Sequence, residues 1–138
     1  MKKRLHETTI EVKYRDTDSV GHVSSPVYYD YIQHAYVKYM HELLDVRYDE
    51  KLPQIMVKTQ CEYVKPAVLG DTLLVRCGVS KFGNKSFEIE YLIEKNDAER
   101  TLIAKALSTH VAFDYAAHQP VPVPDSLKAS VTAFEQSV

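Results

Sequence analysis

Two aspartates, Asp16 and Asp18, stand two residues apart where an alternating segment ends. Gly21, His22 and Val23 follow, and a stretch that reads as a long helix opens directly after Ser24, Ser25 and Pro26. A carboxylate takes a proton from water or attacks an electrophilic carbon itself. The first N–H groups of a helix have no partner inside it and form an electropositive mouth. Held around one carbonyl, the two make a hydrolytic site, with the amides stabilising the oxygen as it gains charge. Closely spaced aspartates at a strand end are often only turn formers that cap a backbone N–H. The helix start seven to eight residues on is what turns the pair toward chemistry.

Other chemistries fit the sequence less well. Asp16, Asp18 and His22 suggest a divalent cation, but no third carboxylate is near and the six histidines lack ligand spacing, so no metal is expected. Cys61 and Cys77 form no CxxC pair and fall among apolar strand residues, as small core side chains do. There is no Gly-x-Ser-x-Gly elbow for a serine triad. DTDSV resembles an aspartyl-phosphate motif, which requires a buried parallel strand and a larger doubly wound sheet that this pattern does not provide. Of the histidines, only His22, beside the glycine turn, lies close enough to Asp18 to matter.

The elements that must hold these residues follow from periodicity. Ile10, Val12 and Tyr14 alternate with polar residues in a first strand. Ser25 is placed to cap the helix and Pro26 to occupy its first position, where a missing N–H costs nothing. From Pro26 to about Leu44, Tyr28, Ile32, Ala35, Tyr39 and Leu43 form one apolar stripe, and Asp30, His34, Lys38, His41, Glu42 and Asp45 lie opposite. Four further strands alternate over Ile55–Val64 (Ile55, Val57, Cys61 and Tyr63 on one face), Leu73–Ser80, Phe87–Glu94 and Thr101–Phe113. Gly83-Asn84 and Asn96-Asp97 supply turns. The last strand is apolar on both faces and belongs inside the sheet. After PVPVP, Asp125 caps a short helix with Leu127, Val131 and Phe134 on its apolar side. The expectation is an α+β domain over 1–138, one long helix packed on a five-stranded antiparallel sheet, with edge strands that favour self-association.

Composition limits the partners. With 138 residues, 45% hydrophobic, 26% charged and a net charge of −2, the chain reads as an ordinary globular protein with no basic block for nucleic acid or an anionic membrane. No apolar run approaches the roughly 18 residues of a membrane span, and the basic start has no apolar stretch behind it, so the expected location is the cytoplasm.

DTDSVGHVSSPVYYDY resembles the signature of the hotdog-fold acyl-CoA thioesterases of the 4-hydroxybenzoyl-CoA thioesterase-like family, with Asp18, Gly21, Val23, Pro26 and Tyr28 matching its pattern. KPAVLGDTLLV, NKSFEIEY and ALSTHVAFD with PVPVPDSL are similar to its later segments, so the likeness covers nearly the whole chain. It implies a hotdog fold, an acyl-CoA substrate and no cofactor. It makes Asp18 the catalytic carboxylate and the Ser25 N–H the group that polarises the thioester carbonyl. Gly21, His22, Val23 and Tyr28 then sit beside the substrate. Asn84, Lys85 and Ser86 lie where relatives hold the nucleotide phosphates, and the assembly is a homodimer or homotetramer with sites at the subunit boundary. Ser24 and Ser25 depart from the asparagines or histidine usual in relatives, and Gln33 and His34 stand where a glutamate is common. Two alternatives share the fold: a thioesterase for acyl carrier protein, with Lys65, Lys81 and Lys85 at its mouth, and a non-catalytic module that binds acyl-CoA.

Overall fold

A computed structural model describes residues 3–137. The elements run β1 (His6–Glu11), a 3-10 turn (Tyr14–Asp16), α1 (Val27–Leu44), β2 (Gln54–Tyr63), β3 (Thr72–Phe82), β4 (Ser86–Lys95), β5 (Leu102–Asp114), β6 (Gln119–Pro120) and α2 (Asp125–Gln136). The strands form one antiparallel sheet in the order β1-β3-β4-β5-β2, with the two-residue β6 added against the end of β5. The expected α+β arrangement is present, and β6 makes the sheet six-stranded. β4 holds the central place, and β5 lies between it and the edge strand β2.

Strict alternation sets the inner face. Leu73, Val75, Cys77 and Val79 on β3 and Phe87, Ile89, Tyr91 and Ile93 on β4 are all buried. They meet the α1 face made by Tyr28, Tyr31, Ile32, Ala35, Tyr36, Tyr39 and Met40. Burying a side chain of the size of Ile32 completely contributes about 1.5–3 kcal/mol, so this contact holds the layers together. The helix ends at Asp45, whose φ of +52° is left-handed, and the Val46 N–H bonds back to the His41 carbonyl at 3.2 Å. α2 packs over the second half of α1, where Phe134 meets Tyr39 at a ring distance of 5.7 Å.

Several local expectations are corrected. β1 ends at Glu11, and Tyr14 turns outward on the 3-10 turn, 81% exposed. α1 begins at Val27, Pro26 occupies the cap position in helical conformation, and neither the Ser25 nor the Pro26 side chain caps the helix. The Val27, Tyr28 and Tyr29 N–H groups instead bond three residues back, to the carbonyls of Ser24, Ser25 and Pro26. His41 is buried, not on the wet face, because its Nδ1 pairs with the Val46 carbonyl oxygen at 2.9 Å and its ring packs on Tyr48. A bulge between Met56 and Lys58 shifts the phase of β2, so Met56 packs inward while Ile55 and Val57 face solvent. Asp125 lies in the first turn of α2 and makes no cap bond, since Pro124 precedes it at the cap.

Candidate active site

The loop between β1 and α1 is folded by its own acids. The Asp16 carboxylate accepts from the Lys13 N–H at 3.0 Å and from the Tyr31 hydroxyl at 2.8 Å, which ties the loop to the helix. Burial, with the neighbouring Asp16 charge adding to it, pushes the Tyr31 phenol pKa well up, so that hydroxyl stays a donor. Asp18 Oδ1 accepts from the N–H groups of Val20 at 2.9 Å and His22 at 3.2 Å, an Asx turn. Gly21 takes φ +80° to close that turn, a conformation other L-residues adopt only with strain. Asp18 therefore does act as a turn former. Its second oxygen, Oδ2, accepts no hydrogen bond among the described residues.

Asp18 lines a cavity of about 370 Å³ together with His22, Val23, Ser25, Tyr28, Tyr63, Val64, Lys65 and Pro66. Contacts on two sides hold its walls. The Val23 N–H bonds to the Ala67 carbonyl at 2.9 Å, and His22 bridges to Val68, which fastens the loop to the chain entering β3. On the other side the Tyr63 hydroxyl reaches the Ser25 carbonyl at 3.3 Å, and its ring lies 5.2 Å from that of Tyr28. The i−3 bonds at the start of α1 use up the next three amides. The Ser25 N–H donates to no group among the described residues. The cavity wall therefore includes a carboxylate with one oxygen free and a residue with an unpaired amide at a helix start. These are the two parts needed to activate water or attack a carbonyl and to receive the oxyanion. Burial raises the Tyr28 phenol pKa, against a lowering contact from the Ala67 backbone, so the ring presents a neutral wall.

Of the residues singled out in the sequence, Asp18, His22, Val23, Ser25 and Tyr28 line this cavity, and Gly21 shapes the turn beside it. Asn84, Lys85 and Ser86 do not join it within the chain. They form the β3–β4 turn at the far end of the sheet, where the Ala112 N–H meets the Lys85 carbonyl and the Val123 N–H meets that of Asn84. Tyr63 also lines the cavity, and its place in an alternating strand gives no functional signal. It arrives through β2, and the only local sign of it is the Lys65-Pro66 break that ends the strand. Both thiols are held protonated by burial: Cys61 is shifted up and Cys77 is pushed up to about 12. Among the described residues no group of three or more His, Cys, Asp or Glu could hold a metal ion, and no helix is long and apolar enough to cross a membrane.

Comparison with known proteins shows the family to which the chain belongs. The family model of the thioesterase-like superfamily matches residues 12–131. The chain is 23% identical to a 1,4-dihydroxy-2-naphthoyl-CoA hydrolase of Rippkaea orientalis, over 96% of this chain and 99% of that one. A thioesterase from Thermus thermophilus, crystallised with coenzyme A and zinc, superposes with a TM-score of 0.82 at 24% identity, over 99% of this chain and 97% of that one. A 1,4-dihydroxy-2-naphthoyl-CoA thioesterase from Synechocystis gives 0.79 at 20% identity, over 96% and 99%.

Proposed function

We infer the reaction from the premise that the chain belongs to the thioesterase-like superfamily: it hydrolyses an acyl-CoA to a carboxylic acid and coenzyme A. The observation that carries this reading is one cavity lined by both Asp18, with its free oxygen, and Ser25, with its unpaired N–H. In the first route Asp18 takes a proton from water, the hydroxide adds to the thioester carbon, and the intermediate expels the thiolate of coenzyme A. In the second Asp18 adds directly, expels the thiolate, and leaves an anhydride that water opens. Both use the same oxygen and place the carbonyl oxygen on Ser25 N–H. A thioester has little resonance stabilisation and a good leaving group, so no triad is required. The relatives named as acyl-CoA hydrolases and the coenzyme A complex of the Thermus protein support coenzyme A as the carrier.

Two copies complete the site. β2 is an open edge whose Ile55 and Val57 are 37% and 57% exposed, and strands of this length seek a partner. β2 runs from the end of the sheet that carries the 83–86 turn to the end that carries the Asp18 cavity. Antiparallel pairing of two β2 edges about a two-fold axis therefore brings the turn of one copy toward the cavity of the other. Asn84, Lys85 and Ser86 then face the nucleotide phosphates, with Lys85 as the cation, and Asp18, exposed in a single chain, is covered. A further pairing into a tetramer uses the outer sheet face, where Glu62, Glu90, Arg76 and Lys105 line a hollow of about 580 Å³ with both signs of charge. We read the chain 1–138 as one such domain, working in the cytoplasm, where its two free cysteines stay reduced.

Thiol release measured over short, long and aromatic acyl-CoAs tests the reading, which expects turnover of at least one class. Binding of acyl-CoA without turnover of any of them establishes the non-catalytic module instead. Because the oxyanion donor is main chain, Ser25→Ala keeps kcat within about threefold. A loss near the hundredfold typical of a deleted oxyanion donor assigns the work to the serine hydroxyl.

A further inference from the structure

We propose that Asp16 and Tyr31 form a positioning clamp, which holds Asp18 and the Ser25 N–H at the separation the reaction needs although neither clamp residue lines their cavity. This rests on the hydrolase reading above and concerns a single chain.

The chain from Asp16 to Ser24 is a small closed loop. The Ser24 N–H donates to the Asp16 carbonyl at 2.9 Å, the Asp18 N–H to the His22 carbonyl at 2.8 Å, and Thr17 bridges to Val23. Asp16 and Ser24 are thus the two posts of its neck. Asp18 lies just past the first post, and Ser25 directly follows the second. The Ser24 post runs straight into α1, whose first amides reach back to Ser24, Ser25 and Pro26. The Asp16 post has no such continuity with the helix. Among the described residues, the one side-chain hydrogen bond between this loop and α1 is that of the Tyr31 hydroxyl to Asp16 Oδ2, at 2.8 Å.

Tyr31 is itself firmly held. It is 5% exposed, and its ring meets that of Tyr28 edge-on, with centres 5.9 Å apart and planes at 74°. Tyr28 in turn lines the Asp18 cavity. Interior side chains packed this closely interdigitate with little free space, so the hydroxyl is a fixed point on the helix. The Asp16 oxygen that meets it also accepts the Lys13 N–H at 3.0 Å. Two donors on one oxygen orient the carboxylate, and the carboxylate fixes the main chain of the first post. That sets the direction from which Asp18 faces Ser25. When two groups act on one carbonyl, a displacement of about 1 Å costs on the order of a hundredfold in rate.

The test measures thiol release, well below the melting temperature, for Tyr31→Phe, Asp16→Asn, Asp16→Ala and the Tyr31→Phe/Asp16→Ala pair. Tyr31→Phe keeps the ring against Tyr28 and removes only the donor. It lowers kcat by about thirtyfold and leaves KM within about twofold. Asp16→Ala loses at least as much, and adding Tyr31→Phe to it brings no further loss, since the same bond is already gone. Asp16→Asn retains an oxygen acceptor and keeps kcat within about threefold of wild type. A wild-type kcat in Tyr31→Phe, losses that add in the pair, or an Asp16→Asn as slow as Asp16→Ala overturns the proposal. So does a change confined to KM.

Amide hydrogen exchange needs no turnover. In Tyr31→Phe the Asp18 and Ser24 amides exchange about tenfold faster, while those of β3 and β4 keep their wild-type rates. Unchanged exchange at Asp18 and Ser24 overturns the clamp, as does faster exchange throughout the sheet, which marks a general loss of stability. A protein that cleaves no thioester but shows this local loosening keeps the clamp and loses the hydrolase reading alone.

Discussion

Asp18→Asn lowers thioester turnover by about a thousandfold and leaves the melting temperature nearly unchanged, within the range expected for loss of a general base or nucleophile. The separation of effects follows from the two oxygens. Oδ1 accepts the Val20 and His22 N–H groups, and asparagine retains that acceptor, so the Asx turn and the position of the loop survive. Oδ2 is the oxygen left free for chemistry, and the amide nitrogen that replaces it neither takes a proton nor attacks a carbonyl. Asp18→Ala removes both functions and should lose stability as well as rate. Thiol release and thermal melts on the two variants check this, and an Asp18→Asn enzyme with the wild-type rate would falsify the mechanism.

Acidification from pH 6.5 to 4 costs the fold about 3 kcal/mol through one core histidine. His110 is completely buried, stacked between Tyr36 and Phe87, and its Nε2 lies 2.7 Å from the Ser108 hydroxyl, which in turn meets the Tyr91 hydroxyl at 2.7 Å. Burial disfavours the imidazolium and lowers its pKa to about 4. In the unfolded chain the ring titrates near 6.5. Between these values the unfolded state holds a proton the folded state lacks, so the stability present above 6.5 is lost as pH falls toward 4. Below 4 both states are protonated and the loss stops growing. Urea unfolding across this range in wild type and His110→Phe isolates the contribution: the variant is less stable at neutral pH, lacking the Ser108 contact, but its dependence on pH is flatter. Parallel curves for the two proteins would remove His110 as the cause.

The readable parts of the sequence were those decided by near neighbours. Leu73 to Val79 and Phe87 to Ile93 keep a period of two against one core, and that pattern survives whatever the strands pair with. Asp18, His22, Val23, Ser25 and Tyr28 reach one cavity because a single turn and the start of one helix hold them. The bulge at Met56 and Lys58 is created by the register of β2 on β5, and no local pattern announces it. The helical spacing puts His41 on the exposed face, because the residues that cover it, Val46 and Tyr48, fold back only after the helix has ended. Tyr63 reaches the Asp18 cavity only through the pairing that places the end of β2 there, which alternation alone does not encode.

The placement of β2 also has a consequence for how the protein is made. Its one strand neighbour is β5, reached through contacts such as Gln54 with Ala112, although β3 and β4 lie between them in the chain. On a ribosome, β2 emerges with nothing to pair with, while β3, β4 and β5 can close as successive hairpins. The loop that carries Asp18 thus waits for the strand that supplies Tyr63, and the cavity they share closes only at the end of folding. Pulse-labelled hydrogen exchange during refolding should show amides of β3 to β5 protected before those of β2, and simultaneous protection would contradict this order.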